Sequence, residues 1–398
     1  MTAQPPSRLF RSAVAALGLL LLAPASAVPA AEPATAPIPP ELAGLDKNDL
    51  LAWPHALRPL AFRNADKFLP FKTVKAGGPV YPLPEGKPIA PVFTHGGKSY
   101  DVDTFMKANF MSGLLVIQDG EIRLEKYALG RTAADRWMSF SVAKSVTSTL
   151  VGAALRDGFI KSLDDPMSAY IPELKGGIYD RISIRHTLMM ASGAKWNEDY
   201  RDPENDIHSM SETSYVDNMK DRPLVSPPGE KFLYRTGDSN LLGVLVARAT
   251  GKPTSQYLSE KIWRPFGMEN DAYWQTHMGE ELGGANLQIT LRDYGRFGLF
   301  FLHGGVAGGK PVVPDGWTKE AGKALLPTGW GDIGYGYQWW VHSDGSFMGL
   351  GIYGQTLYLN PATNTVIVMN SAWPEADWEP GYALEEEFYK AVAKAIGG

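Results

Sequence analysis

A serine followed three residues later by a lysine can form a hydrolytic centre, and this sequence holds that pair twice. Ser141–Lys144 lies in FSVAKS and Ser192–Lys195 in ASGAKW. A serine hydroxyl is a weak nucleophile until a neighbouring base removes its proton. Lysine can be that base only where burial or nearby positive charge lowers its pKa by several units. Positions i and i+3 of a helix share a face, about 5–6 Å apart at Cβ, so the pair works where it opens a buried helix. The N-terminus of such a helix also aims backbone N–H groups at developing negative charge. Behind Ser141, the small apolar run from Val142 to Leu155 meets this requirement. Gly193 instead follows Ser192 where it ends a helix, and Trp196 to Asp199 lead into a polar loop that leaves Lys195 solvated and protonated. Ser141 and Lys144 are therefore the pair expected to react.

A second element lies about ninety residues downstream. PGEKFLYRTGDSNLLGVL places Tyr234 after a Pro-Gly turn and just before a helix. A buried tyrosine near a lysine can pass protons between nucleophile and leaving group, although alone it reads better as a core aromatic. A Ser-His-Asp esterase is the rival enzyme reading, because GDSN at Gly237–Asn240 mimics a lipase nucleophile segment. That motif belongs near the start of a chain, with Asp-x-x-His near its end; the sequence has no Asp-x-x-His and no Gly-x-Ser-x-Gly elbow.

These groups need elements to hold them. GLLVIQDGEIRLEKYALG alternates apolar and polar residues on either side of Asp119–Gly120, a hairpin signature. Val142 to Leu155 reads as a helix, SLDDPMSAYIPEL as a turn into a short helix, and ISIRHTLMMASG as a helix closed by Gly193. NLLGVLVARATGKPTSQYLSEKIWRPFGM reads as helices capped near Gly251 and Gly267. GYGYQWWVH, GIYGQTLYLNP and NTVIVMNSAW have strand character, and YALEEEFYKAVAKAIGG closes the chain as an amphipathic helix with Glu early and Lys late. Strands and helices at both ends enclosing a helical middle predict one α+β domain with a helical insertion.

Composition narrows the functional classes. Of 398 residues, 44% are hydrophobic and 20% charged, the ordinary globular range. The net charge of −5 and the absence of any long basic block argue against a nucleic-acid partner. No cysteine is present, which excludes disulfides, cysteine nucleophiles and thiolate metal sites. HExxH and clustered histidines are missing too, and the acidic stretch RDPENDIH lacks the glycine and distal glutamate of a calcium loop. No metal or cofactor is expected. Residues 1–30 begin with Arg8 and Arg11, continue through an apolar run from Ala13 to Ala23, and end in small residues. That order predicts a secretory signal, an exported (periplasmic or secreted) enzyme and no transmembrane segment in the mature chain. Residues 31–95 are rich in Pro, Ala and Gly and read as a linker followed by an arm on the main domain, residues 96–398.

The segments taken in order resemble the penicillin-recognising serine hydrolases. These comprise class C β-lactamases, D-alanyl-D-alanine carboxypeptidases, related esterases and the 6-aminohexanoate-dimer hydrolases. FSVAKS resembles their nucleophile motif, LDDPMSAYIPEL and IRHTLMMASG the segments after it, and PGEKFLYRTGDSNLLGVLVARATGKP their tyrosine motif. WNEDY, TLRDYGRFGLF and GIYGQTLYLNP bring the chain nearest to the 6-aminohexanoate-dimer hydrolase branch. The resemblance implies a β-lactamase/transpeptidase-like fold, an antiparallel sheet flanked by helices, with the helical subdomain at about residues 155–285. It also implies a small-molecule ester or amide substrate, with Ser141 as nucleophile, Lys144 as base and Tyr234 as proton relay. The N–H groups of Ser141 and Ile352 would form the oxyanion hole, with Tyr200, Thr236 and Gly351 at the substrate.

Two departures bear on the substrate. Thr236 stands where the β-lactamases have the asparagine of Tyr-x-Asn, and Gly349–Gly351 stands where they have Lys-Thr-Gly, so the cation that meets a β-lactam carboxylate is missing. The expected export is itself unusual beside the cytoplasmic setting associated with nylon oligomer hydrolysis. A β-lactamase or peptidase, a plain carboxylesterase and a non-enzymatic binding module on the same fold stay open as alternatives.

Overall fold

The computed structural model describes residues 37–397 apart from Ser211, so the expected leader over residues 1–30 lies outside the described residues. The first regular elements used here are α1 (Arg58–Asn64) and β1 (Phe71–Val74). β2 (Met111–Gln118) and β3 (Glu121–Tyr127) form the hairpin read from the sequence. Asp119 and Gly120 both take positive φ in its turn (54° and 81°), as a two-residue connection between twisted strands requires. β4 (Arg136–Met138) leads through a 3₁₀ turn, Phe140–Val142, into α2 (Ala143–Arg156). Then come α3 (Thr236–Thr250), β5 (Ala272–His277), β6 (Leu287–Thr290) and α4 (Leu291–Leu302). The last third holds β7 (Leu326–Trp330), β8 (Ile333–Tyr335), β9 (Trp340–Val341), β10 (Phe347–Gly351), β11 (Gln355–Asn360), β12 (Thr365–Ser371) and α5 (Glu379–Ile396).

Strands from both parts of the chain join in one antiparallel sheet, ordered β7-β8-β9-β10-β11-β12-β2-β3. The joint is β12 on β2, where Val366 faces Ile117 and Val368 faces Leu115. Their continuous apolar runs follow from being covered on both sides. Leu115, Ile117, Val366 and Val368 pack with α4, while Leu114, Val116, Ile367 and Met369 pack with Leu384, Phe388 and Val392 of α5. A smaller antiparallel sheet, β1-β5-β6-β4, carries the chain into Ser141. Between Arg156 and Ala272 the described residues form helices, 3₁₀ turns and loops.

Two local expectations are revised. ISIRHTLMMASG is helical only over Ile184–Leu188. Met190 already takes a left-handed turn (φ 55°) and the Ala191 N–H bonds back to the His186 carbonyl, so the helix closes before Gly193, which makes a second left-handed turn (φ 78°) further on. Residues 37–95, read as having few periodic segments, contain α1, whose Ala61 and Phe62 are buried with Trp137, Phe140 and Tyr353 in a third core. Seven residues with a proline in the first turn are too few to show a period of 3.6. Among the described residues, no helix is long and apolar enough to cross a membrane, and no group of three acidic or histidine side chains could hold a metal ion.

Candidate active site

Ser141 sits in the 3₁₀ turn directly before α2, and Lys144 is in the first turn of that helix. α2 is buried all round from Ala143 to Ala154, which its small residues permit. Each hydroxyl on it finds a carbonyl: Ser145 donates to Gln338 (2.8 Å), Thr147 to Gly283 (2.6 Å) and Ser148 to Tyr337 (2.7 Å). Lys144 is thereby held 1% exposed, with Nζ 2.8 Å from Ser141 Oγ, 2.9 Å from Thr236 Oγ1 and 2.7 Å from the Gly284 carbonyl. Burial lowers its pKa to about 8, against the Glu198 carboxylate, which pulls it up.

The three partners of Nζ are chemically unequal. A carbonyl only accepts, so Gly284 must receive an N–H. The Thr236 hydroxyl gives its proton to Glu198 and must also accept from Lys144. Ser141 is the one remaining partner with a proton to give. In a neutral amine the two N–H bonds are therefore committed, and the lone pair faces Ser141.

Tyr234 and Thr236 flank Arg235 in extended backbone, so their side chains leave the chain on the same side. Arg235 is 1% exposed on the opposite side, where its guanidinium donates to the carbonyls of Ala194 (2.6 Å), Met190 (3.0 Å) and Leu233 (3.0 Å). The Tyr234 hydroxyl lies beside Ser141, and the ring lies 4.9 Å from Lys144 Nζ and stacks on Trp340 at 5.5 Å. Burial pushes the phenol well above its usual range, Glu198 adds to this, and the Ser141 contact opposes it. Tyr234 is a neutral O–H donor at neutral pH. Glu198 gathers donors from Trp196 Nε1 (2.6 Å), the Thr236 N–H (2.6 Å), the Thr236 hydroxyl and the Tyr200 hydroxyl (2.8 Å).

On the other side of Ser141, β10 runs so close that a Cβ on Gly351 would fall 2.5 Å from the Ser139 carbonyl oxygen and 3.0 Å from the Ser141 nitrogen. That approach brings Ile352, the next residue, to the wall of the cleft that Ser141 opens into. The cleft has a volume of about 1260 Å³, and its walls include Tyr200, Tyr234, Trp330, Trp340, Gly351 and Ile352.

All seven residues singled out in the sequence meet around this cleft: Ser141, Tyr200, Tyr234, Gly351 and Ile352 in its wall, Lys144 and Thr236 bonded directly behind it. Lys195 is exposed, and Ser192 is fully buried, its hydroxyl oxygen accepting from the Ala194 N–H at 3.4 Å. Sequence reasoning missed Glu198, Gly284 and Arg235. Glu198 stands two residues from both Trp196 and Tyr200 in the quoted WNEDY, a spacing that places all three on one side of an extended segment.

A family model described as Beta-lactamase matches residues 102–388. The 6-aminohexanoate-dimer hydrolase of Paenarthrobacter ureafaciens is 29% identical over 365 residues, covering 84% of this chain and 91% of that protein. Among solved structures, a Bacillus anthracis protein described as a candidate 6-aminohexanoate-dimer hydrolase gives a TM-score of 0.78 at 24% identity, over 85% of this chain and 94% of its own. A class C β-lactamase gives a TM-score of 0.54 at 17% identity, over 73% and 93%. The structural likenesses carry the fold, a β-lactamase/transpeptidase-like α+β architecture as the sequence predicted.

Proposed function

This chain belongs to the β-lactamase family and is a serine hydrolase; from that premise we propose that it opens ester or linear amide bonds through an acyl-enzyme on Ser141. The observation that carries the proposal is the unequal set of partners around Lys144, which leaves its lone pair only Ser141 to take a proton from. Lys144 accepts the hydroxyl proton as Ser141 Oγ attacks the carbonyl carbon. The N–H groups of Ser141 and Ile352 receive the oxyanion; each such donor is typically worth ~10²–10³ in rate. Collapse breaks the carbonyl bond to the leaving oxygen or nitrogen, which takes a proton from Tyr234, and Tyr234 recovers one from the Lys144 ammonium. Water, losing its proton to the same base, then attacks the acyl-enzyme and releases the acid and Ser141.

Two observations favour a linear ester or amide over a β-lactam. β10 offers Gly349–Leu350–Gly351 beside Ser141 in place of a lysine. The cleft wall also carries Asp332, Glu375, Asp377, Glu379 and Glu386. Of the two arginines there, Arg201 pairs with Glu375 at 3.8 Å and Arg58 is spent on backbone carbonyls. A net-anionic β-lactam meets repulsion in such a site, whereas a neutral ester, or a linear amide whose carboxylate is balanced by an ammonium, does not. Tyr200 would meet a substrate amide from the Glu198 side, and Thr236 would set the Lys144 side. The test compares turnover of p-nitrophenyl butyrate, 6-aminohexanoate dimer and nitrocefin by wild type, Ser141→Ala and Ser192→Ala. Wild type and Ser192→Ala are expected to turn over the first or second substrate faster than nitrocefin, and Ser141→Ala to lose activity. Equal losses in the two variants would refute the assignment.

A further inference from the structure

Two non-glycine residues beside the proposed anion-binding amides occupy the left-handed backbone region: Phe140 (φ 43°), just before Ser141, and Tyr353 (φ 62°), just after Ile352. Such conformations cost of order 1–3 kcal/mol each and persist only where the surroundings over-determine them. The surroundings here come from the N-terminal segment. Phe62 of α1, 0% exposed, touches both rings, with centroids 4.9 Å from Phe140 and 5.6 Å from Tyr353. Those two rings meet each other edge-on at 5.4 Å. Arg58, one turn earlier on the same face of α1, lies 4.2 Å over the Tyr353 ring. Its Nη1 donates to the carbonyls of Trp373 (2.7 Å) and Pro374 (2.6 Å), and Tyr353 exchanges backbone hydrogen bonds with that same segment, at Trp373 and Ala376. The Tyr353 hydroxyl reaches the Leu51 carbonyl at 3.4 Å. One short helix thus braces both strained residues.

We infer that α1, through Phe62 and Arg58, is a positioning element for the oxyanion hole: it holds Phe140 and Tyr353 in their strained conformations, so that the Ser141 and Ile352 N–H groups converge on one point. This rests on the acyl-enzyme reading above. If the brace loosens, either backbone relaxes and an N–H swings away from the developing oxyanion, while the cleft walls that bind the substrate stay in place. Transition-state stabilisation is lost and ground-state binding is kept, which lowers kcat and spares KM.

The test uses Phe62→Leu and Arg58→Met, with Phe388→Leu as a control for general loss of packing, since Phe388 is equally buried in the core under α5. Melting temperature, kcat and KM for p-nitrophenyl butyrate, and the rate of inactivation by an alkyl p-nitrophenyl phosphonate are measured for each. The phosphonate places an oxygen in the same hole. Phe62→Leu and Arg58→Met are expected to lower kcat and the phosphonylation rate together by about 10-fold, a fraction of the loss when a whole donor is removed. KM is expected to stay within about 2-fold, and Phe388→Leu to keep wild-type kcat despite its lower melting temperature. If Phe62→Leu does not fold, Arg58→Met decides through kcat and the phosphonylation rate alone, because Arg58 itself borders the cleft. Wild-type kcat in the folded brace variants, or an equal kcat loss in Phe388→Leu, overturns the inference. Retained turnover by Ser141→Ala overturns the acyl-enzyme reading instead, whatever the brace variants do.

Discussion

Glu198 reaches Lys144 through a single hydroxyl, that of Thr236, which accepts from Lys144 Nζ at 2.9 Å and donates to the carboxylate. Two influences meet at the amine. Burial, the larger, favours the neutral form and brings the pKa down to about 8, while the carboxylate favours the ammonium. A base that works as the neutral amine gains activity as pH rises through its pKa. Ester kcat/KM is therefore expected to climb with an apparent pKa of about 8. Glu198→Gln removes the charge that opposes burial, so the midpoint is expected at lower pH. Paired pH–rate profiles check this, and an unmoved or raised midpoint in the variant would disconnect Glu198 from the base.

In the proposed mechanism Tyr234 protonates the leaving group, and leaving groups differ in their need of a proton. An amine cannot depart as an anion, whereas p-nitrophenolate can. Tyr234→Phe is expected to lower hydrolysis of a linear amide by ~10²–10⁴, the usual worth of a positioned general acid, and that of a p-nitrophenyl ester far less. The two substrates assayed side by side give the answer. Equal losses would mean that the hydroxyl matters for packing against Trp340, 5.5 Å away, or for holding Ser141, rather than for the leaving group.

Ser141 and Lys144 were legible because their contact is local: three residues across the 3₁₀ turn that opens α2, with a run of small residues that announces burial. The Asp119–Gly120 hairpin was legible for the same reason. Tyr234 became readable only through its place after Ser141 in a known order of segments. Glu198 acquires its role when residues 194–200 fold against the start of α3, a contact across about forty residues with no spacing to betray it. The Gly284 carbonyl is a backbone group, and backbone groups leave no mark in sequence beyond the glycine that lets them approach. α1 was invisible as a helix because seven residues carry too little period. Its effect on the site runs through two aromatic rings rather than a motif. The helix closing at Met190, ahead of Gly193, shows the same limit, since Arg235 and Leu233, more than forty residues away, hold the Met190 carbonyl.

Gly351 is tied to the site by the absence of a side chain. A Cβ there would lie 2.5 Å from the Ser139 carbonyl oxygen, and that backbone cannot move without moving Ser141. At Gly349 the nearest atom is the Ser145 hydroxyl oxygen at 2.9 Å, which belongs to a side chain. Gly351→Ala is expected to cost about 1–3 kcal/mol of stability, as overpacking does. It is also expected to cut ester kcat by at least ~10-fold, since a small displacement of reacting groups suffices. Gly349→Ala is expected to retain more activity at a similar melting temperature. Melting curves and kcat for both variants test this; the reverse order of activity would place the tight contact elsewhere.

Glu385 supplies a pH dependence of stability that is separate from catalysis. It is 1% exposed on the face of α5 that packs against the sheet, where Asn109 Nδ2 (3.2 Å), Thr356 Oγ1 (2.9 Å) and the Tyr389 hydroxyl (3.2 Å) donate to its carboxyl group. Burial outweighs these donors and raises its pKa to about 7 from its usual 4.5. Between those two values the folded chain keeps a proton that the unfolded chain has lost. The stability it contributes is whole below about pH 4.5 and is lost as pH rises through about 7, a change on the order of 3 kcal/mol. Glu385→Gln cannot ionise and removes that slope, so its melting temperature is expected to fall less than that of wild type between about pH 5 and about pH 8. Thermal unfolding of both proteins across this range gives the comparison. Parallel curves would mean that the carboxyl group is already ionised in the folded protein throughout, with the three donors outweighing burial.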